Sequence, residues 1–187
     1  MIIWLSILSM FAHSAMVELN QKEHSFQFSQ LNQSDYMIVD DGVMGGRSNS
    51  NLEIVNEYVM YSGRVSIENN GGFASLRMMW PFAIEVADIN KLSRVELTVK
   101  GDGKKYQFRL RTNRGFDGAA YSYSFTTVKN KIQTIEIPIE KFVPTFRGRV
   151  LPDMPKLKFF EVQQMGLLIA DKQVGDFVID LIALKLQ

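Results

Sequence analysis

Carboxylates, lysines, tyrosines and hydroxyls are the groups with which this sequence could do chemistry. It contains no cysteine and only two histidines, His13 and His24. The missing cysteine removes thiol catalysis, thiolate metal sites and disulfides. Both histidines precede the glycine-rich body, so a Ser-His-Asp triad or a histidine-built metal site would have to recruit one of them from an arm. Asp41 and Glu68 are the candidates for a hydrolytic carboxylate pair, without positional support. Asp40, Asp41, Asp171, Asp176 and Asp180 offer the hard oxygens that calcium takes, but their spacing is not that of a calcium loop, and solvated turn acids are the expectation. No catalytic residue, cofactor or metal is therefore expected.

The densest signal is Asp40-Asp41-Gly42-Val43-Met44-Gly45-Gly46-Arg47-Ser48, followed about one hairpin later by Glu68-Asn69-Asn70-Gly71-Gly72-Phe73. Glycine at this density marks backbone that needs positive φ or close approach of other groups. Acids beside turn amides can hold an ion. They can also cap local N–H groups, and that structural reading is preferred here. The spacing is not Gly-x-Gly-x-x-Gly, which excludes a dinucleotide fingerprint.

Arg109 and Arg111 share one face of a strand pattern, with Arg114 just beyond, and Arg147 and Arg149 flank Gly148. Together they could meet an anionic partner. A net charge of +1 argues against a dedicated nucleic-acid binder. The expectation is a solvated sheet face paired with acids such as Glu96, with Arg147 and Arg149 kept as partner contacts. Trp80, Tyr106, Tyr121 and Tyr123 could stack a sugar; their regular alternation with polar residues favours a core role.

The elements that must position these groups read as β-strands. At 187 residues one domain is expected, with 46% hydrophobic and 22% charged residues, an ordinary globular balance. Residues 93–100, 104–112 and 119–127 alternate apolar and polar with period two. The first two runs flank Gly101-Asp102-Gly103 and are expected to pair as a hairpin. Further strands are expected at 52–61, 63–68, 72–79, 131–138, 159–170 and 175–186, the last two as central strands. A single helical turn is expected over Ala87–Leu92. The prolines of 138–155 read as one long connection. About nine short strands argue for an all-β fold, an antiparallel β-sandwich or jelly roll.

The amino end, from Met1 to Ala12, is nearly all apolar, followed by His13-Ser14-Ala15. Its length suits the apolar core of a secretory signal and falls short of a membrane span. The expected organisation is a signal over 1–15 and a single β-sandwich domain over 16–187. Export, periplasmic or extracellular, is favoured over a cytoplasmic location, with no stable transmembrane anchor.

Taken in order, the two glycine motifs, Gly63 to Arg77, Gly101 to Arg111, Phe146-Arg147-Gly148-Arg149 and Met165 to Phe177 resemble the complex I intermediate-associated protein 30 family. The resemblance runs from about Tyr36 to Leu186. It implies a galactose-binding-domain-like jelly roll and a chaperone-like assembly role on respiratory complex I intermediates, as in the family's mitochondrial member. Tyr36 stands where the family often has Trp, and Asp40 where it often has Asn. The function expected is thus a non-enzymatic binding protein with a protein partner, a membrane-complex intermediate among the candidates, and no nucleic acid. An exported carbohydrate-binding module is the alternative. The expected contact residues are Asp40, Asp41, Met44, Arg47, Asn69, Asn70, Arg109, Arg111, Arg147, Arg149 and Lys172.

Overall fold

The computed structural model describes residues 24–85, 88, 91–115 and 117–187. Two antiparallel sheets face one another. The six-stranded sheet has the order β3-β4-β13-β6-β9, with β1 also paired to β13. Its strands are β1 (His24–Gln27), β3 (Asn49–Val55), β4 (Tyr58–Val65), β6 (Arg94–Gly101), β9 (Ile132–Pro138) and β13 (Gly175–Leu186). The seven-stranded sheet has the order β11-β10-β8-β7-β12-β5-β2. It contains β2 (Tyr36–Ile38), β5 (Ala74–Met79), β7 (Lys105–Arg111), β8 (Ala120–Thr126), β10 (Val143–Phe146), β11 (Arg149–Val150) and β12 (Gln164–Ile169).

Period-two patterning explains why the two sheets stick. In β6, Val95, Leu97 and Val99 are buried, and in β7 so are Tyr106, Phe108 and Leu110. They meet Leu76, Met165, Leu167, Ile179 and Leu181 in one continuous core between the sheets. Each such side chain contributes about 1.5–3 kcal/mol when fully withdrawn from water. β12 and β13 occupy the middle of their sheets, as their apolar content predicts. The all-β sandwich expected from the sequence is the fold observed.

Several local expectations need correction. The runs flanking Gly101-Asp102-Gly103 are not a hairpin: β6 pairs with β9 and β13, whereas β7 pairs with β8 and β12. The tripeptide carries the chain from one sheet to the other. Asp102 fixes that crossover, accepting from the Lys104 N–H, the Tyr106 hydroxyl and, across to β13, the Val178 N–H, each at 3.0 Å. Local turn chemistry is the same for both outcomes, so sequence spacing alone cannot choose between them. The 52–61 and 63–68 runs divide instead at Asn56-Glu57, where Asn56 has a φ of 29°. Part of the 138–155 connection forms the β10–β11 hairpin, and residues 159–161 make a 3-10 turn before β12 begins. The expected amino-terminal signal lies outside the described residues, as do residues 87, 89 and 90 of the turn expected at 87–92. Among the described residues no helix is long and apolar enough to cross a membrane.

Candidate binding site

The first glycine motif folds as a 3-10 turn, Asp41–Met44, closed by Gly45 at a φ of 88°. Asp41 is fully buried. Its carboxylate accepts from the Ser48 N–H at 2.9 Å, the Ser48 hydroxyl at 2.5 Å, the Gly72 N–H at 2.6 Å and the Phe73 N–H at 3.2 Å. Burial on its own would raise the pKa of this acid; the four donors outweigh it and hold the group below the usual carboxylate range. Two further contacts join the motifs: Arg47 pairs with Glu68 at 3.0 Å, and the Asn69 amide donates to the Gly45 carbonyl at 3.1 Å. Asn69 and Asn70 both take positive φ. Asp40 accepts from the Ser50 hydroxyl and the Ser75 N–H, and burial pushes its pKa up.

Asp40, Asp41, Arg47, Asn69 and Asn70 are therefore brought together where two loops meet, with Asp41 buried and Arg47, Asn69 and Asn70 exposed. The preferred structural reading of the motif holds. Asp41 is engaged by four donors, and Glu68 by the exposed Arg47. Among the described residues no group of three or more His, Asp or Glu side chains could hold a metal.

Arg109 and Arg111 lie elsewhere, on the outer face of the seven-stranded sheet. Antiparallel register sets Val143, Ser122, Arg109, Gly166, Arg77 and Met37 side by side across β10, β8, β7, β12, β5 and β2. Gly166 places no side chain between Arg77 and Arg109. A Cβ there would stand 2.4 Å from the Leu76 carbonyl oxygen, so the close approach of β5 demands glycine. Arg111, one pleat along, is opposite Gln164, which is opposite Met79. The row ends in exposed apolar side chains, Val143 and Met37.

The expected pairing of these arginines with Glu96 does not occur. Glu96 is in the other sheet and receives Arg94 at 3.2 Å. Arg111 is only 4% exposed, and among the described residues the Nε groups of Arg109 and Arg111 have no hydrogen-bond partner. Burial, then the Arg77 guanidinium, pushes Arg109 down to about 10. Burial, then Arg109 and Arg77, pushes Arg111 down to about 9, with Asp117 opposing the shift. All three guanidiniums stay charged at neutral pH, so the shifts of Arg109 and Arg111 record first the cost of burial and then that of crowding like charges.

The remaining candidates divide between the two ends of the sheet. The β10–β11 hairpin, at the end where β7 finishes with Arg111, carries exposed Arg147 and Arg149. Arg147 pairs with Asp117 at 2.6 Å and lies over the Phe146 ring. Lys172, exposed at a φ of 58°, is at the opposite end with the Asp41 tie, where Lys105 pairs with Asp171. The backbone of Met44 ends the 3-10 turn at that same end. Arg77 and Gly166 were not among the expected site residues. Alternation marks Arg77 as outward-facing, but only the register of β5, β12 and β7 makes it a neighbour of Arg109. Of the aromatics proposed for sugar stacking, Tyr106 and Tyr121 are buried and Tyr123 packs on Phe142 with centroids 6.3 Å apart.

Comparison with known proteins places this architecture. A family model described as Complex I intermediate-associated protein 30 matches residues 24–181. An uncharacterised Schizosaccharomyces pombe protein, C9E9.15, is 26% identical over 162 residues, covering 78% of this chain and 74% of its own. Among solved structures, a family 11 carbohydrate-binding module from Clostridium thermocellum, in complex with a β-1,3-1,4-mixed-linked tetrasaccharide, superposes with a TM-score of 0.63 at 19% identity. It covers 87% of this chain and 94% of its own. The family 11 module of the cellulosomal cellulase Lic26A-Cel5E from the same organism gives 0.63 at 18% identity, covering 87% and 93%. At these identities the structural likeness speaks for the jelly-roll fold alone.

Proposed function

Because the chain belongs to the complex I intermediate-associated protein 30 family, we propose that it is a non-enzymatic binding protein of the assembly-factor kind. It holds a protein partner against the outer face of the seven-stranded sheet and the Arg147–Arg149 hairpin. The observation that carries this reading is the outward row of β10 to β2, with crowded guanidiniums at its centre and exposed apolar residues at its ends. A few buried anchors surrounded by a polar rim supply most of the energy in such interfaces. The buried, fully engaged Asp41 supports a binding role over hydrolysis.

A carbohydrate-binding role draws on the fold likeness to the Clostridium thermocellum modules. Burial of Tyr106 and Tyr121 weighs against it, since sugar stacking needs exposed rings. Affinity purification of the tagged full chain from its native source tests the proposal. A stoichiometric protein partner supports it; recovery of the chain alone, or of chain bound to neutral glycan, overturns it.

A further inference from the structure

We propose that Arg77, Arg109 and Arg111 form an oxyanion site, which takes a carboxylate or phosphate group of the ligand into the outer face of the seven-stranded sheet. The inference rests on the reading of that face as a binding surface and names the chemistry it selects.

The placement argues for an anion from three sides. First, Arg77 and Arg109 flank Gly166 across β5, β12 and β7, with no intervening side chain, so both guanidiniums address the same gap. Arg111 follows on the same face of β7. Guanidinium forks match the geometry of carboxylate and phosphate oxygens and bind them bidentately.

Second, the usual means of tolerating buried arginine is missing. Among the described residues no carboxylate lies within ion-pair distance of Arg109 or Arg111, and their Nε donors are buried without partners. The charge of Asp117 reaches Arg111, yet its carboxylate is bonded to Arg147. An unpaired charge withdrawn from water is expensive, so a protein keeps Arg111 buried beside the half-buried Arg109 only where something outside the chain completes them. The depressed pKa values of Arg109 and Arg111 agree with this geometry.

Third, the surroundings give the site a selective shape. Val143 and Met37 end the row, and Met79 ends the next. Gln164, opposite Arg111, brings an amide whose Oε1 is a buried acceptor without a partner among the described residues. An acceptor among donors suits an oxyanion that bears a proton or a neighbouring hydroxyl. Arg147 and Arg149, at the same end as Arg111, add positive charge along the approach.

The test uses the full chain at neutral pH and constant ionic strength set with chloride. Inorganic phosphate, glutarate and tri-galacturonate are titrated in turn, with the neutral glucose trimer of mixed linkage as control. At least one oxyanion is expected to raise Tm by about 3 °C or more over chloride. The arms then tell free phosphate from a carboxylate and from a carboxylate on sugar. Arg109→Met and Arg111→Met should weaken that response tenfold or more, while the ligand-free Tm holds or rises because one repelling charge has gone. Arginines with a purely structural role would instead lower the ligand-free Tm. If either variant fails to fold, the wild-type Nε–H NMR signals of Arg109 and Arg111 decide: they should shift with the binding anion. No anion-specific rise, or unmoved Nε signals, overturns the site. A chain that recruits a protein partner but ignores every oxyanion sinks this inference and leaves the binding role standing.

Discussion

Asp41 and Gly72 stand 31 positions apart and are joined by a 2.6 Å hydrogen bond from the Gly72 N–H to the Asp41 Oδ2. Through that bond and the neighbouring one from Phe73, the turn before β3 is fastened to the segment that enters β5. The buried Asp41 thereby ties the two sheets at one end of the sandwich, because β3 and β5 belong to different sheets.

Replacing Asp41 with Asn should cost about 2–4 kcal/mol. The amide keeps one acceptor oxygen and turns an NH2 toward donors that now lack a partner, and hydrogen bonds to a charged acceptor are the stronger kind. Urea denaturation followed by tryptophan fluorescence measures the loss. The pH dependence has a definite sign. The folded pKa of Asp41 lies below the unfolded value of about 3.9, so its stabilisation is complete above that value and is lost as pH falls through the folded pKa. Wild-type stability should therefore fall more steeply than that of Asp41→Asn below about pH 4. Parallel curves would show that the carboxylate charge contributes nothing.

Two glycines of the same motif should behave oppositely. A Cβ on Gly46 would stand 2.3 Å from the Asp41 Oδ1, whereas one on Gly42 meets nothing within 4 Å among the described residues. Gly46→Ala must displace a carboxylate with four hydrogen bonds and should cost about 3 kcal/mol or more. Gly42→Ala should change stability by no more than about 0.5 kcal/mol. Equal thermal shifts for the two would contradict the packing described around Asp41.

The layered fold was legible in the sequence because period-two alternation reports burial directly. Val95, Leu97 and Val99 against Arg94, Glu96 and Thr98 predict one buried face, and one face is buried. Alternation says nothing about partners. Gly101-Asp102-Gly103 has the composition of a hairpin turn, yet the contact that decides its path is with Val178 on β13, 76 residues away. The glycine corner was readable for the opposite reason: its donors and acceptor lie in two compact motifs, and turn acids cap amides. Arg109 and Arg111 could be assigned to one face of a strand, but their third member, Arg77, could not. It belongs to β5, and the register through Gly166 of β12 is a property of the whole sheet.

Export makes a prediction about covalent structure. If the apolar run from Met1 to Ala12 is a secretory signal, the mature protein should begin near Ala15 or Met16 and be recovered from a periplasmic or extracellular fraction. Intact-mass measurement on chain from the native source checks both. A mature protein that retains Met1 in the cytoplasmic fraction would remove export and restore His13 to the working molecule.

The β10–β11 hairpin separates partner binding from stability. Arg147 and Asp117 are 67% and 56% exposed, and an ion pair so open to solvent contributes about 0–1 kcal/mol to folding. Arg149 is likewise exposed and forms no ion pair among the described residues. The double change Arg147→Ala with Arg149→Ala should therefore leave the urea midpoint nearly where it was. Partner capture should nevertheless fall about tenfold, as expected when an arginine at an interface is truncated. Both effects need measuring on one preparation, because a folding defect alone would also reduce capture. An unchanged pull-down from a well-folded double variant would move the contact surface away from this hairpin, toward the row of β7, β12 and β5.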